Sequence, residues 1–151
     1  MSINTGEAIM TSACFRLGLL GTELTREFSA RIEHIGVSHK QVGLLAVVNS
    51  GVAQSQRDIA ARLHVTPSLV VSLVDQLIAL GAVTRDRSIA DRRVQIIQLT
   101  QLGHELLAAC ASAASELDAE FRTALSLTGQ VALDSLLPDL DARKIPIFPR
   151  A

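Results

Sequence analysis

Four arginines crowd the stretch RDRSIADRR, at positions 85, 87, 92 and 93, interleaved with Asp86 and Asp91. Arginines at that density suit an anionic partner, and an arginine at a hairpin tip fits the negative potential of a narrow DNA minor groove. A second polar set precedes them. Ser68, Ser72 and Gln76 recur every four residues within VTPSLVVSLVDQL, with Thr66 before them and Val71 alongside. Serine hydroxyls bond bases or phosphates, a glutamine amide bonds an adenine edge, and a valine meets a thymine methyl. Arg57 and Arg62 suit phosphate contacts, which position a protein without reading sequence. A third set, Cys14, Arg16 and His39, has the chemistry for sensing: a thiol that oxidises and two groups that take an anion.

Other chemistries are excluded. The chain has no Gly-rich nucleotide loop, nucleophile elbow or paired His/Glu metal motif, so it does not read as an enzyme. Its two cysteines are far apart and form neither a disulfide framework nor a C-x-x-C pair. Histidines 34, 39, 64 and 104 lack tight ligand spacing, so neither a metal nor a cofactor is expected. With no Trp or Tyr and 4 Phe, stacking platforms for single strands are not expected either. The net charge of −1 is silent about partners; the distribution of charge is what matters. No apolar run approaches the roughly 20 residues of a membrane span, and MSINTGEAIM lacks the pattern of a signal peptide. A cytoplasmic protein with no membrane partner is therefore expected. Its 151 residues suit one compact domain.

The elements that must position these groups follow from periodicity and caps. Leu17, Leu20, Leu24, Phe28, Ile32 and Ile35 recur every three or four residues, which predicts one long helix over 7–35. Ser38 and Gln41 have capping-box spacing, flanked by Val37 and Val42 as a hydrophobic staple, and open a second helix that ends near 49–51. Ser55, with Asp58 three residues on, opens a third helix that stops by His64. Thr66 is a natural N-cap, Pro67 fits the first helical position, and Gly81 supplies the stop. Two short helices joined by a few residues make a helix-turn-helix. Rotation at 100° per residue puts Val70, Leu73, Val74 and Leu77 on one face of the second of these helices. Ser68, Ser72, Asp75 and Ala79 fall opposite, with Gln76 beside them and Val71 on the shoulder. AVTRDR and RVQIIQL then read as two strands joined by SIAD. Thr100 caps a further long helix, and Thr128 opens the last one, before Pro138.

A helix-turn-helix followed at once by a basic hairpin is a winged helix, which sets a helix in the major groove and a hairpin beside it. At this point the chain resembles the MarR family of winged helix-turn-helix transcription regulators. Ile59-Ala60, Val74-Asp75, Leu77, Gly81, Val83, Arg85, Asp91-Arg92-Arg93, Leu99-Thr100 and Gly103 sit at the family's spacings, and the flanking helices fit as well. The fold class is then mainly α, a winged helix-turn-helix region over 38–99 with a two-stranded wing, flanked by dimerisation helices over 7–35 and 101–140. The resemblance implies a homodimer that binds double-stranded, near-palindromic DNA, most simply as a repressor. It also implies that Asp91 shapes the wing and that Arg93 tips it. The long apolar stripes of the first and last helices agree with an interface.

The chain departs from the family at Val71 and Ser72, where threonine and arginine are common. Without that arginine, a bidentate guanine contact worth about 1–3 kcal/mol of discrimination is lost, and wing, phosphate and shape contacts carry more of the recognition. Family members usually release DNA on binding a small aromatic or phenolic ligand or on oxidation. Cys14-Phe15 resembles the peroxide-sensing cysteine of the organic-hydroperoxide branch, with Phe28 and His39 standing where that branch has tyrosines. His39 then becomes the expected partner of the thiol, while Cys110 reads as core. The competing class is a dimeric interaction protein whose winged helix no longer binds DNA.

Overall fold

Capping side chains set most of the boundaries. In the computed structural model, which describes residues 4–141, the order is α1 (Thr5–Thr11), α2 (Ala13–Ile32), a 3-10 turn (Glu33–Ile35), α3 (His39–Asn49), α4 (Gln56–Leu63) and α5 (Pro67–Leu80). An antiparallel hairpin follows, β1 (Val83–Arg87) and β2 (Gln95–Leu99), then α6 (Gln101–Thr123) and α7 (Leu127–Asp141). Of the described residues, those up to Ala114 form one compact unit and those from Ser115 on form a second.

The single helix expected over 7–35 is instead two helices and a 3-10 turn. Ser12 is the cause. Its backbone is extended at φ −66°, ψ 138°, its amide closes α1 on Ile9 O, and its Oγ accepts from Phe15 N at 3.3 Å to open α2. Apolar periodicity is blind to such a break, because the stripe continues through it. Nor is the stripe buried along its length. Ile32 is fully buried and Phe28 and Ile35 pack beside it, whereas Leu17 and Leu20 remain 49% and 57% exposed.

The next three helices start where the caps predict. Ser38 and Gln41 form both bonds of the capping box, and Val37 and Val42 are buried together in the cluster that includes Ile32 and Cys110. Ser55 Oγ accepts from Asp58 N at 3.1 Å to open α4, and Thr66 Oγ1 accepts from Leu69 N to open α5. His64 ends α4 in the left-handed region at φ 55°, and α5 leaves at 111° to α4, as in a helix-turn-helix. No single helix among the described residues is long and apolar enough to cross a membrane.

The main core lies among α3, α4, α5 and the hairpin. Val70, Leu73, Val74 and Leu77 of α5 meet Leu44, Leu45, Val48, Ile59, Val83 and Ile97 there. Val83, paired with Leu99, faces that core, and Arg85, paired with Ile97, lies on the same strand face. The hairpin's root is closed by Thr100, whose Oγ1 donates to Gly81 O at 2.6 Å and accepts from Gly103 N at 3.1 Å.

In the second unit, α7 begins at Leu127 rather than Thr128, because Ser126 Oγ accepts from Gly129 N at 3.1 Å. Pro138 lies inside α7. Arg122 spans the two helix segments, bonding Asp134 at 2.8 Å and Asp118 at 3.0 Å. The Asp134 and Asp118 carboxylates hold its guanidinium above the ordinary range.

Gly103 is the most crowded of the described glycines: a Cβ there would sit 2.1 Å from Ala82 O. Because that contact is with backbone, Gly103→Ala is expected to cost about 3 kcal/mol or more, read as a lower urea midpoint at unchanged slope.

Candidate nucleic-acid interface

Burial of Val70, Leu73, Val74 and Leu77 turns the opposite face of α5 outward. Ser68, Val71, Ser72, Asp75 and Gln76 are all exposed there, as the rotation predicted. At the N-terminus of α5, Thr66 Oγ1 and Ser68 Oγ lie 3.1 Å apart, so two hydroxyls share the first turn. Further along, Gln76 Nε2 donates to Ser72 Oγ at 3.3 Å, and Gln76 Oε1 accepts from Gln41 Nε2 at 2.8 Å. This alters the expectation for Gln76. Its carbonyl end is turned to Gln41, and a two-ended bond to adenine requires that end as well as the amide nitrogen.

The wing carries the arginines, but they are not equivalent. Arg85 shares a strand face with the buried Val83 and reaches inward, where its Nη2 meets Asp75 Oδ1 at 2.6 Å. Gln56, with its amide turned to satisfy both groups, accepts from Arg85 Nε at 3.2 Å and Nη2 at 3.3 Å. Arg85 therefore ties the wing to α4 and α5 and does not stand free for DNA as the sequence reading had it. Arg87, Arg92 and Arg93 are exposed, as are Arg57 and Arg62 on α4.

Short polar bonds shape the tip. Ser88 N donates to Val94 O at 2.8 Å, and Ser88 Oγ accepts from Ala90 N and Asp91 N at 3.2 and 3.4 Å. Asp91 Oδ1 accepts from Arg93 N at 2.9 Å, and Asp91 O from Val94 N at 2.9 Å. Ser88 and Asp91 thus fold the tip so that Arg92 and Arg93 follow a fixed turn, with Ile89 fully exposed at the apex. Gln41 is legible in the sequence only as a helix cap, and Gln56 and Ser88 are not marked there as site residues. For its role in the tip Ser88 has a local signal, a serine three residues before an aspartate in a turn.

The sensing candidates are not brought together within one chain. Cys14 and Arg16 are exposed in the first turn of α2. His39 opens α3 and meets the edge of Phe28, ring centroids 5.8 Å apart. Phe28 is fourteen residues further along α2 than Cys14, a rise of about 21 Å. His39 beside Phe28 is thus out of reach as a partner for the thiol of its own chain, contrary to expectation. Cys110 is buried, and burial pushes its thiol upward, which keeps it neutral. Among the described residues no group of three or more His, Cys, Asp or Glu could hold a metal ion.

A capped helix-turn-helix braced to a basic hairpin makes this a winged-helix protein. The model of the MarR family matches residues 35–94, which take in the helix-turn-helix and the first strand of the wing. Over 105 residues the chain is 32% identical to a putative transcriptional regulatory protein for the hcr operon of Thauera aromatica. That match takes in 70% of this chain but 63% of the relative, so the chain spans less than two thirds of the relative's length. The fold is similar to the transcriptional repressor CouR bound to a 23-mer DNA duplex, with a TM-score of 0.80 and 24% identity over 95% of this chain and 100% of that one. It is similar also to CouR from Rhodococcus jostii RHA1 bound to p-coumaroyl-CoA, at 0.76 and 21% over 94% and 98% of the two chains.

Two measurements check this geometry. Asp91→Ala is expected to speed hydrogen exchange at the Arg93 amide while global stability moves by only about 0.5 kcal/mol, as for a surface change. A thiol titration of the folded protein should find one fast-reacting group per chain, absent in Cys14→Ser, with Cys110 reacting only on unfolding.

Proposed function

We propose that this chain is a DNA-binding transcriptional regulator, a repressor that binds a near-palindromic operator as a homodimer and is released by a small ligand or oxidant. One observation carries the reading: the outward polar face of α5 is braced to a pinned wing that presents Arg87, Arg92 and Arg93. In a chain of net charge −1, that local excess of cations has an anion as its natural partner. In this reading α5 enters the major groove and contributes Thr66, Ser68, Val71, Ser72 and Gln76. Arg93 and its neighbours take the adjacent minor groove, and Arg57 and Arg62 contact phosphate.

Two surfaces support the homodimer. Along α1 and α2, Ile9, Met10, Leu17, Leu19 and Leu20 are exposed, and in the second unit Leu127 and Val131 are. Apolar side chains in such numbers call for a covering partner. Two copies would present their α5 helices to half-sites roughly 34 Å apart. For the effector, the fold likeness to a protein bound to p-coumaroyl-CoA supports an aromatic acid or its thioester. Arg16 and His39, which lie apart within one chain, are separate candidates for the group that takes its anionic part. Cys14 is the site for an oxidant.

Salt-titrated binding to the DNA upstream of the chain's own gene tests the reading. Binding should be in the nanomolar range at moderate salt and weaken steeply as salt rises. Arg93→Ala should lower the affinity and reduce the salt slope by about 1. Weak binding that is flat with salt and indifferent to Arg93→Ala would make this a dimeric interaction protein instead. Release by hydroperoxide in wild type but not in Cys14→Ser would assign the signal to the thiol, and equal release in both would remove that role.

A further inference from the structure

A backbone amide sets the direction of a hydrogen-bond relay that ends on the outward face of α5. Ser38 N can only donate, and it bonds Gln41 Oε1 at 2.9 Å. The remaining end of the Gln41 amide is its donor end, and Nε2 bonds Gln76 Oε1 at 2.8 Å. Gln76 then turns its own Nε2 to Ser72 Oγ, at 3.3 Å. Each step inherits its polarity from the one before, because a side-chain amide has one acceptor end and one donor end. Ser72 Oγ accepts within the relay, and among the described residues nothing takes its O–H. The Ser72 proton is therefore available outward, and Gln76 Nε2 keeps a second N–H beside it.

We infer that Gln41, which lies off the reading face, is a positioning residue for base recognition: it holds Ser72 and Gln76 as adjacent donors for the guanine edge. The inference rests on the DNA-binding reading above and deepens it. In the major groove guanine offers two acceptors, O6 and N7. Adenine offers one acceptor and one donor, cytosine a donor, and thymine a single acceptor beside its methyl. Two neighbouring donors match guanine alone among these. A lone glutamine would favour adenine, but here its acceptor end faces Gln41.

Gln41→Glu reverses the relay while keeping the capping box, since glutamate serves equally at that helical position. Its carboxylate accepts from Ser38 N and draws Gln76 Nε2 toward itself. Gln76 Oε1 then faces Ser72, whose O–H donates to it and whose lone pairs are left outward. The full chain and this variant are each selected against a pool of randomised duplexes, and thermal melts confirm that both are folded. Wild type is expected to enrich guanine at one position of each half-site, and 7-deazaguanine there should weaken binding about tenfold. Gln41→Glu should move the preference at that position to adenine or cytosine. Ser72→Ala should flatten it without altering the salt slope. The same guanine preference in wild type and Gln41→Glu, with normal affinity, overturns the inference and leaves the DNA-binding reading intact. So does a wild-type site with no guanine at any contacted position. Absence of salt-dependent DNA binding by wild type removes both.

Discussion

The surface chemistry of α5 depends on the burial of four of its side chains. Val70, Leu73, Val74 and Leu77 are all at or near zero exposure, each worth about 1.5–3 kcal/mol against leaving it in water. Together they outweigh any polar bond on the outer face, so the core alone decides how the helix is rolled about its axis. Once the roll is set, the 3.6-residue period fixes which atoms look outward. Asp75 comes within 2.6 Å of Arg85, and Gln76 within 2.8 Å of Gln41, only because of that roll. A turn of one residue would present Val70 and Val74 to solvent and take the polar groups out of reach.

The polar ties act by a different currency. The Asp75 carboxylate is 57% exposed, so its pair with Arg85 adds only about 0–1 kcal/mol to folding. What the pair supplies is direction. Arg85 leaves a strand face shared with Val83, bonds Asp75 on α5, and meets Gln56 at the start of α4. Three elements that would otherwise touch only through interchangeable apolar contacts are thereby held in one angular relation. The result is specific geometry at modest energy.

Much of this was legible in the sequence where the physics is local. Ser38, Ser55, Thr66, Gly81 and Thr100 are read from residue type and a spacing of a few positions, and each caps its helix as expected, Gly81 at the end and the others at the start. The inward face of α5 is equally local, a matter of rotation. The failures share another cause. Ser12 interrupts the first helix without disturbing the apolar period, and the stripe that continues beyond it is left uncovered over Leu17 and Leu20. Gln41 meets Gln76 across 35 positions, and Arg85 meets Asp75 across 10. No periodicity reports such pairs; they exist only after helices and hairpin have packed. The four arginines of RDRSIADRR therefore read as one basic cluster, when one of them is structural and three face outward.

The hairpin is also built unevenly along its length. Its root is locked: Thr100 clasps Gly81 and Gly103, Ile97 N bonds Gln54 O, and Val83 and Ile97 are buried. Among the described residues its tip is held by its own turn bonds, which Ser88 and Asp91 shape. Such a hairpin is a cantilever, clamped at one end and unloaded at the other. The residues between Ile89 and Arg93 can be exchanged with little penalty to folding, so long as Ser88 and Asp91 remain. The exposed arginines and the buried clamp thus occupy separate parts of one short hairpin, which leaves the tip open to substitution.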